Sequence, residues 1–313
     1  MKKYFGLLSA MTSVVLWASM FPVGRALIGG NMVDPVTLGM FRFLIAGPLL
    51  VGAGVIFFGF RKMFALTGRD ILSVAVLGLI GTTMMAALLF YAQRTLPSIN
   101  ASMLEAIVPL QIFVISVVFG RRKIIPLQIA GLLLGFCGCM LVLRVIDGNG
   151  LHLNSLSLGD LCIFLSGLCW SVYTVWGRPV ANRLGGYIFS AWSILAGGLI
   201  FAIWQLFRLD AVVWPSTGQA WGMIFYFALF PTALSFLCWN HAQKMIPLSV
   251  LSFTEYFTPM LAALFGFLFI HETINFWQLA GAVIVIGASL IDPEFLSLRS
   301  RGKETEKEPQ KEV

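Results

Sequence analysis

Apolar residues run through this chain in long blocks, and polar and charged positions are confined to the short stretches between them. Ten blocks of spanning length, roughly 20 residues each, fall at 4–27, 35–58, 71–92, 97–119, 124–145, 158–178, 186–207, 218–240, 246–270 and 275–292. Such blocks predict membrane-spanning helices, because hydrocarbon offers no partner to an unpaired backbone amide. The links are short, the longest running from Arg144 through Asp147 and Gly150 to Ser157. Only the end of the chain, 293–313, is plainly polar, and it reads as a solvated, disordered tail.

Composition supports the membrane reading. Hydrophobic residues make up 58% of the 313 positions and charged residues only 11%, where soluble domains carry about a quarter. The net charge of +7 does not point to nucleic acid. Its basic residues form short clusters between apolar blocks (Lys2 and Lys3, Arg61 and Lys62, Arg121 to Lys123), not a basic face interleaved with aromatics. Their distribution orients the chain. With the N-terminus in the cytoplasm, the inner side holds Lys2, Lys3, Arg61, Lys62, Arg69, Arg121, Arg122, Lys123, Arg178, Arg183 and Lys244, and the outer side Arg25, Arg94, Arg144 and Arg208. Ten spans then return the C-terminus to the cytoplasm. The first block also carries signal-peptide features, two lysines before an apolar run ending in Ala18-Ser19-Met20; the repeat described next favours an uncleaved first span. The five cysteines lie in apolar blocks without a C-x-x-C pair and read as packing residues, not as a metal site.

An offset of 150 recurs along the chain. Tyr91-Ala92-Gln93-Arg94 matches His241-Ala242-Gln243-Lys244, Pro97 matches Pro247, Gln128 to Gly131 matches Gln278 to Gly281, and Ala46-Gly47 matches Ala196-Gly197. Trp17, Gly24 and Arg25 match Trp170, Gly177 and Arg178 at an offset of 153. Two units are therefore expected, 4–145 and 158–292. Five spans per unit is an odd number, so the second unit enters the membrane inverted. The fold expected is an all-α membrane protein of ten transmembrane helices in two inverted five-helix repeats, an architecture that suits alternating access.

The same repeat places two acids in the apolar interior. SMLEAIVP holds Glu105 four residues before Pro109, and SFTEYFTP holds Glu255 four residues before Pro259. Each glutamate lies about nine residues into its span, roughly 13 Å deep in a core about 30 Å thick. A charge there costs about 3 kcal/mol or more. Such a carboxyl suits loading and releasing a proton, or pairing with an ammonium group; its structural alternative is a protonated glutamate bonded to a neighbouring helix. Arg42 is the third deep charge; its counterpart is Trp192, and it is placed to pair with Glu105 or a substrate carboxylate. Pro109 and Pro259 are expected to kink their helices. Trp17 and Trp170 lie deep enough to line a cavity, and Tyr91, Tyr173 and Asn240 join the candidate binding set.

These features resemble the drug/metabolite transporter superfamily, specifically its EamA-type members. The marks are Trp17 and Trp170, Arg42 in FRFLIAG, the twins YAQRTLPSINASMLEAIVP and HAQKMIPLSVLSFTEYFTP, and the ending IHETINFWQLAGAVIVIGASLI. The resemblance covers about 4–292 and implies a ten-span exporter of amino acids or related amines in a bacterial-type inner membrane. Family members often carry a glutamate after the fourth and ninth spans; here Glu272 fits but Arg122 stands at the other position. Expected partners are a small-molecule substrate and the lipid bilayer, with protons as a candidate coupling ion. The chain is expected to work without nucleic acid or cofactor, as a monomer or weak homo-oligomer. Uptake and flipping of lipid-linked sugars are the alternatives on the same fold. An intramembrane enzyme is disfavoured by the absence of H-E-x-x-H, a nucleophile elbow, a phosphate loop or metal-ligand spacing.

Overall fold

Helix starts are set by local chemistry. Asp34 accepts hydrogen bonds from the Val36 and Thr37 amides, and Pro35, which needs no amide partner, opens the helix Pro35–Phe58. Thr67 and Asp70 cap each other's backbone at the start of Gly68–Gly78. Thr217, the counterpart of Thr67, caps Gly218–Phe227 through the Ala220 amide, but alanine cannot reciprocate.

The computed structural model describes residues 2–96, 98–120, 126–142, 146–147, 150–151, 157–208, 212–271 and 276–290. It is helical apart from a two-residue antiparallel ladder pairing Ile146 with Leu151 and Asp147 with Gly150. We label the principal helices α1 (Tyr4–Gly29), α2 (Pro35–Phe58), α3 (Gly68–Ala92), α4 (Ser98–Leu104), α5 (Val108–Gly120), α6 (Pro126–Val142), α7 (Leu158–Leu184), α8 (Gly186–Leu206), α9 (Gly218–Met245), α10 (Leu248–Thr254), α11 (Phe257–Ile270) and α12 (Phe276–Leu290). Seven stretches among the described residues have the length and apolarity to cross a membrane: α1, α2, α3, α7, α8, α9 and Val250–Phe269. The blocks expected at 97–119, 124–145 and 275–292 are met by shorter helices. The first is broken by a tight turn at Glu105–Ile107, and α6 and α12 adjoin residues outside the described set. The polar tail at 293–313, the basic cluster at Arg121 to Lys123, Arg144 and Glu272 also lie outside the described residues.

Two kinds of interruption recur at the offset of 150. The first is a widened turn, at Leu79–Met84 in α3 and Ala228–Leu234 in α9. In α9 its cause is Pro231, which cannot donate to the Phe227 carbonyl; the Thr232 hydroxyl donates to that carbonyl instead, at 2.7 Å. In α3, which lacks the proline, the Thr82 hydroxyl takes the Gly78 carbonyl. The second interruption falls at Glu105–Ile107 and at Glu255–Tyr256. Proline clashes with the carbonyl four residues earlier, so Pro109 and Pro259 break the helix at the glutamate itself. The freed Glu255 carbonyl is taken by the Thr258 amide at 2.9 Å, a tighter turn closing the gap.

Packing interleaves the two parts of the chain. α1 lies against the second half of α9 and against α11, while α7 lies against the second half of α3 and against α5. α2 runs along α8 and α6 along α12. The α2–α8 approach needs glycine. A Cβ on Gly47 would sit 2.6 Å from the Leu195 Cα, and one on Gly198 would sit 2.9 Å from the Leu44 amide nitrogen.

Two ion pairs tie the parts together at opposite ends of α8 and its neighbours, Asp34 with Arg208 at 3.0 Å and Asp70 with Arg183. Burial alone would raise the Asp34 carboxyl. Hydrogen bonds from the Thr37 hydroxyl, the Arg208 guanidinium and the Thr37 and Val213 amides outweigh it and hold the group below its ordinary 3.8. Stability from a carboxyl depressed in this way is present at neutral pH and is lost as pH falls through its folded value. The Asp34→Asn protein is therefore expected to lose about 1–3 kcal/mol at neutral pH. Its thermal midpoint should also fall less than that of the unaltered protein on acidification below about pH 4. Thermal unfolding across pH, with parallel curves for the two proteins, would refute this.

Candidate functional site

The two helix breaks point their glutamates into one cavity. Its wall is formed by Trp17 and Met20 from α1, Arg42 from α2, Met85 and Leu89 from α3, Gly167 and Trp170 from α7, Phe236 from α9, and Glu105, Val108, Glu255 and Thr258 at the two breaks. The space is about 50 Å³, enough for a few water molecules and too small for an organic solute.

Glu255 is 7% exposed, and its Oε1 accepts a hydrogen bond from the Trp170 indole nitrogen at 2.8 Å. Trp170 is stacked on Tyr173 with ring centroids 5.3 Å apart and meets Trp17 edge to face at 4.9 Å. Trp17 in turn donates to the Pro231 carbonyl at 3.0 Å and touches Trp239, its centroid 5.0 Å away. Every indole nitrogen facing the cavity is thus directed by the backbone break of α9 or by a carboxylate, which fixes the rings.

Arg42 is buried and lies among three phenyl rings, its guanidinium carbon 4.9 Å from the Phe43 centroid and 5.6 Å from those of Phe90 and Phe227. Its Nε donates to the Thr232 hydroxyl, and Nη2 donates to the Pro231 carbonyl at 3.4 Å. Nη1 has no partner. Arg42 and Glu105 face the same cavity, but no ion pair forms between them among the described residues. The widened turn of α9 supplies the contacts expected from a carboxylate. Two carboxyls and one guanidinium therefore share a water-sized space. With Arg42 charged, one ionised carboxyl balances it, and a second leaves room for one more positive charge, a proton or an ammonium group.

The other candidates take different places. Tyr173 and Asn240 are fully buried behind the cavity wall. The Tyr173 hydroxyl lies 3.1 Å from the Ser193 hydroxyl, and the Asn240 amide donates to Ser190 at 2.6 Å. Tyr173 braces Trp170 and α8, Asn240 braces α8, and neither lines the cavity. Tyr91 lies elsewhere, half exposed at the end of α3 beneath the Arg94 guanidinium. Pro109 and Pro259 act from below, through the breaks they cause. Arg25 donates to the Gln93 carbonyl at 2.9 Å and Arg178 to the Ile246 carbonyl at 3.4 Å, so this matched pair caps helix ends. Sequence reasoning passed over Thr232 and Thr258. The repeat pairs Thr232 with Thr82 and Thr258 with Val108, but no partner is ionisable or aromatic, so nothing in the sequence marked either threonine.

The family model described as the EamA-like transporter family matches the chain twice, at 4–144 and at 157–291. An uncharacterized transporter of Archaeoglobus fulgidus is 28% identical over 284 residues, covering 90% of this chain and 94% of that one. A probable terminal-alkyne amino-acid exporter of Streptantibioticus cattleyicolor is 26% identical over 292 residues, covering 92% and 93%. A solved crystal structure superposes with a TM-score of 0.73 over 96% of this chain and 98% of its own, at 22% identity, a likeness of fold alone. With its seven helices of spanning length and its two family matches, the chain is a multi-pass membrane transporter of small molecules and belongs to the EamA-like transporter family.

Proposed function

We propose that this transporter exports small metabolites, amino acids or related amines, by alternating access between two inverted five-helix repeats. The observation that carries the reading is the charge count of the cavity, where Glu105, Glu255 and Arg42 leave a place for one exchangeable positive charge. A proton and the ammonium group of a substrate then compete for the same carboxyls, which couples their movements. Trp17 and Trp170 offer ring surface to the ammonium. The name carried by the Streptantibioticus relative, an amino-acid exporter, supports the same substrate class.

The cavity, at about 50 Å³, is too small for an organic solute, so binding requires the two parts of the chain to separate on one side. The widened turns of α3 and α9 and the breaks at the two glutamates are the points where backbone hydrogen bonding is already interrupted. They are the hinges in this scheme. The placement of basic residues favours N- and C-termini in the cytoplasm of a cell with a bacterial-type inner membrane.

Export and uptake give opposite growth phenotypes. Cells overproducing the chain are expected to tolerate toxic amino-acid analogues at concentrations that stop control cells. Increased sensitivity would establish uptake and reverse the proposed direction.

A further inference from the structure

A second, larger cavity lies away from the carboxyls. It occupies about 340 Å³ where the start of α2, the end of α3, the start of α7 and the end of α8 come together. Its origin is a divergence of helices. α8 packs on Gly68–Met84 of α3 but parts from the last stretch of that helix, Met85–Ala92. Within α3, Met85 and Leu89 face the central cavity, whereas Ala87, Leu88 and Tyr91 face this groove, so the helix wall separates the two spaces.

The chemistry of the groove changes along its depth. Val36, Ala87, Leu88 and Cys162 form an apolar floor, and Tyr91 and Trp204 stand over it. Arg94 and Arg208 join them at the helix ends, where the chain meets water. On the same helices Met84, Leu161 and Ile203, and Phe207 at the end of α8, are exposed apolar side chains. Arg208 is committed to Asp34. Arg94 is exposed, lies 5.8 Å over the Tyr91 ring, and forms no ion pair among the described residues. The neighbouring acid Asp160 is taken up by its capping box with Ser157. Among the described residues, the mouth thus carries a cation without an ion-pair partner above an apolar slot.

We propose that this groove holds an anionic phospholipid, its phosphate against Arg94 and one acyl chain along Ala87 and Leu88. A free inorganic anion would use the arginine but leave the apolar floor empty. A zwitterionic lipid would fill the floor but bring its own cation to the arginine. An interfacial aromatic pair with a cation beside it is the side-chain pattern that suits a headgroup boundary.

The test uses the purified full chain in phosphatidylcholine nanodiscs with or without phosphatidylglycerol, read by lipids retained in native mass spectrometry and by thermal midpoint. The unaltered protein is expected to retain phosphatidylglycerol about fivefold more than Arg94→Gln does. Lys62→Gln, which removes a cation at the opposite membrane face, should behave as the unaltered protein. Ala87→Phe, which fills the floor and keeps the arginine, should lose the retention as well. Phosphatidylglycerol should raise the midpoint where phosphatidylcholine and inorganic phosphate do not. Equal retention by the unaltered and Arg94→Gln proteins would overturn the proposal. An equal midpoint rise with inorganic phosphate would overturn it too, by making the site one for a free anion. The phosphatidylcholine midpoint of each variant confirms that it is folded.

Discussion

Glu255→Gln is expected to reduce substrate flux in proteoliposomes roughly 10- to 100-fold while leaving the protein folded in the membrane. Glutamine keeps the shape of the side chain and an oxygen that can accept the 2.8 Å bond from the Trp170 indole. What it removes is the capacity to ionise. If Glu255 only braced Trp170, glutamine would do that work and flux would persist. If the carboxyl exchanges a proton for a substrate ammonium, the exchange stops whatever the packing. The same logic applies to Glu105→Gln, and the two effects should not add, because both acids serve one cavity. Flux equal to that of the unaltered protein at every pH tested would remove Glu255 from the mechanism.

The second large effect is expected at Arg42. Arg42→Met fills similar volume among Phe43, Phe90 and Phe227 but withdraws the charge facing the two carboxyls. Its loss should cost about 3 kcal/mol, as for other buried charges deprived of a counter-charge. The informative quantity is the coupling. Made in the Glu105→Gln protein, the same substitution should cost about 1–2 kcal/mol less. Arg42 touches Thr232 and the Pro231 carbonyl and not Glu105, so contact alone predicts no coupling. A double-mutant cycle on reversible unfolding in mixed micelles measures it, and additivity would show that Arg42 serves only the widened turn of α9.

These two residues also show what the sequence could reveal. The acids were legible because a repeat doubled them, and because glutamate four residues before proline puts the side chain at the point where the helix must break. Trp17 and Trp170 were legible by depth and by the same repeat. Arg42 was visible as a deep charge, but its anchor was not. Thr232 is 190 positions away, and the position matching Arg42 is Trp192, so no symmetry argument led to it. Tyr91 was grouped with the cavity and lies in the outer groove. Where a helix is apolar on all sides, periodicity does not say which face meets protein and which meets lipid. The block at 97–119 failed the spanning criterion for a related reason. Hydropathy sees the apolar run at 97–119 but not the break inside it at Glu105–Ile107.

The interleaving of α1 and α7 bears on how such a chain could have arisen. Each leading helix packs against the third and fourth helices of the other unit, so a lone unit supplies only part of the cavity wall. An ancestor encoding a single unit would have needed two molecules exchanging their first helices. Carrying two such units in one chain makes that exchange internal, and it frees each unit to keep changes, such as an arginine on one side only, that an obligate pair of identical chains would have to carry twice.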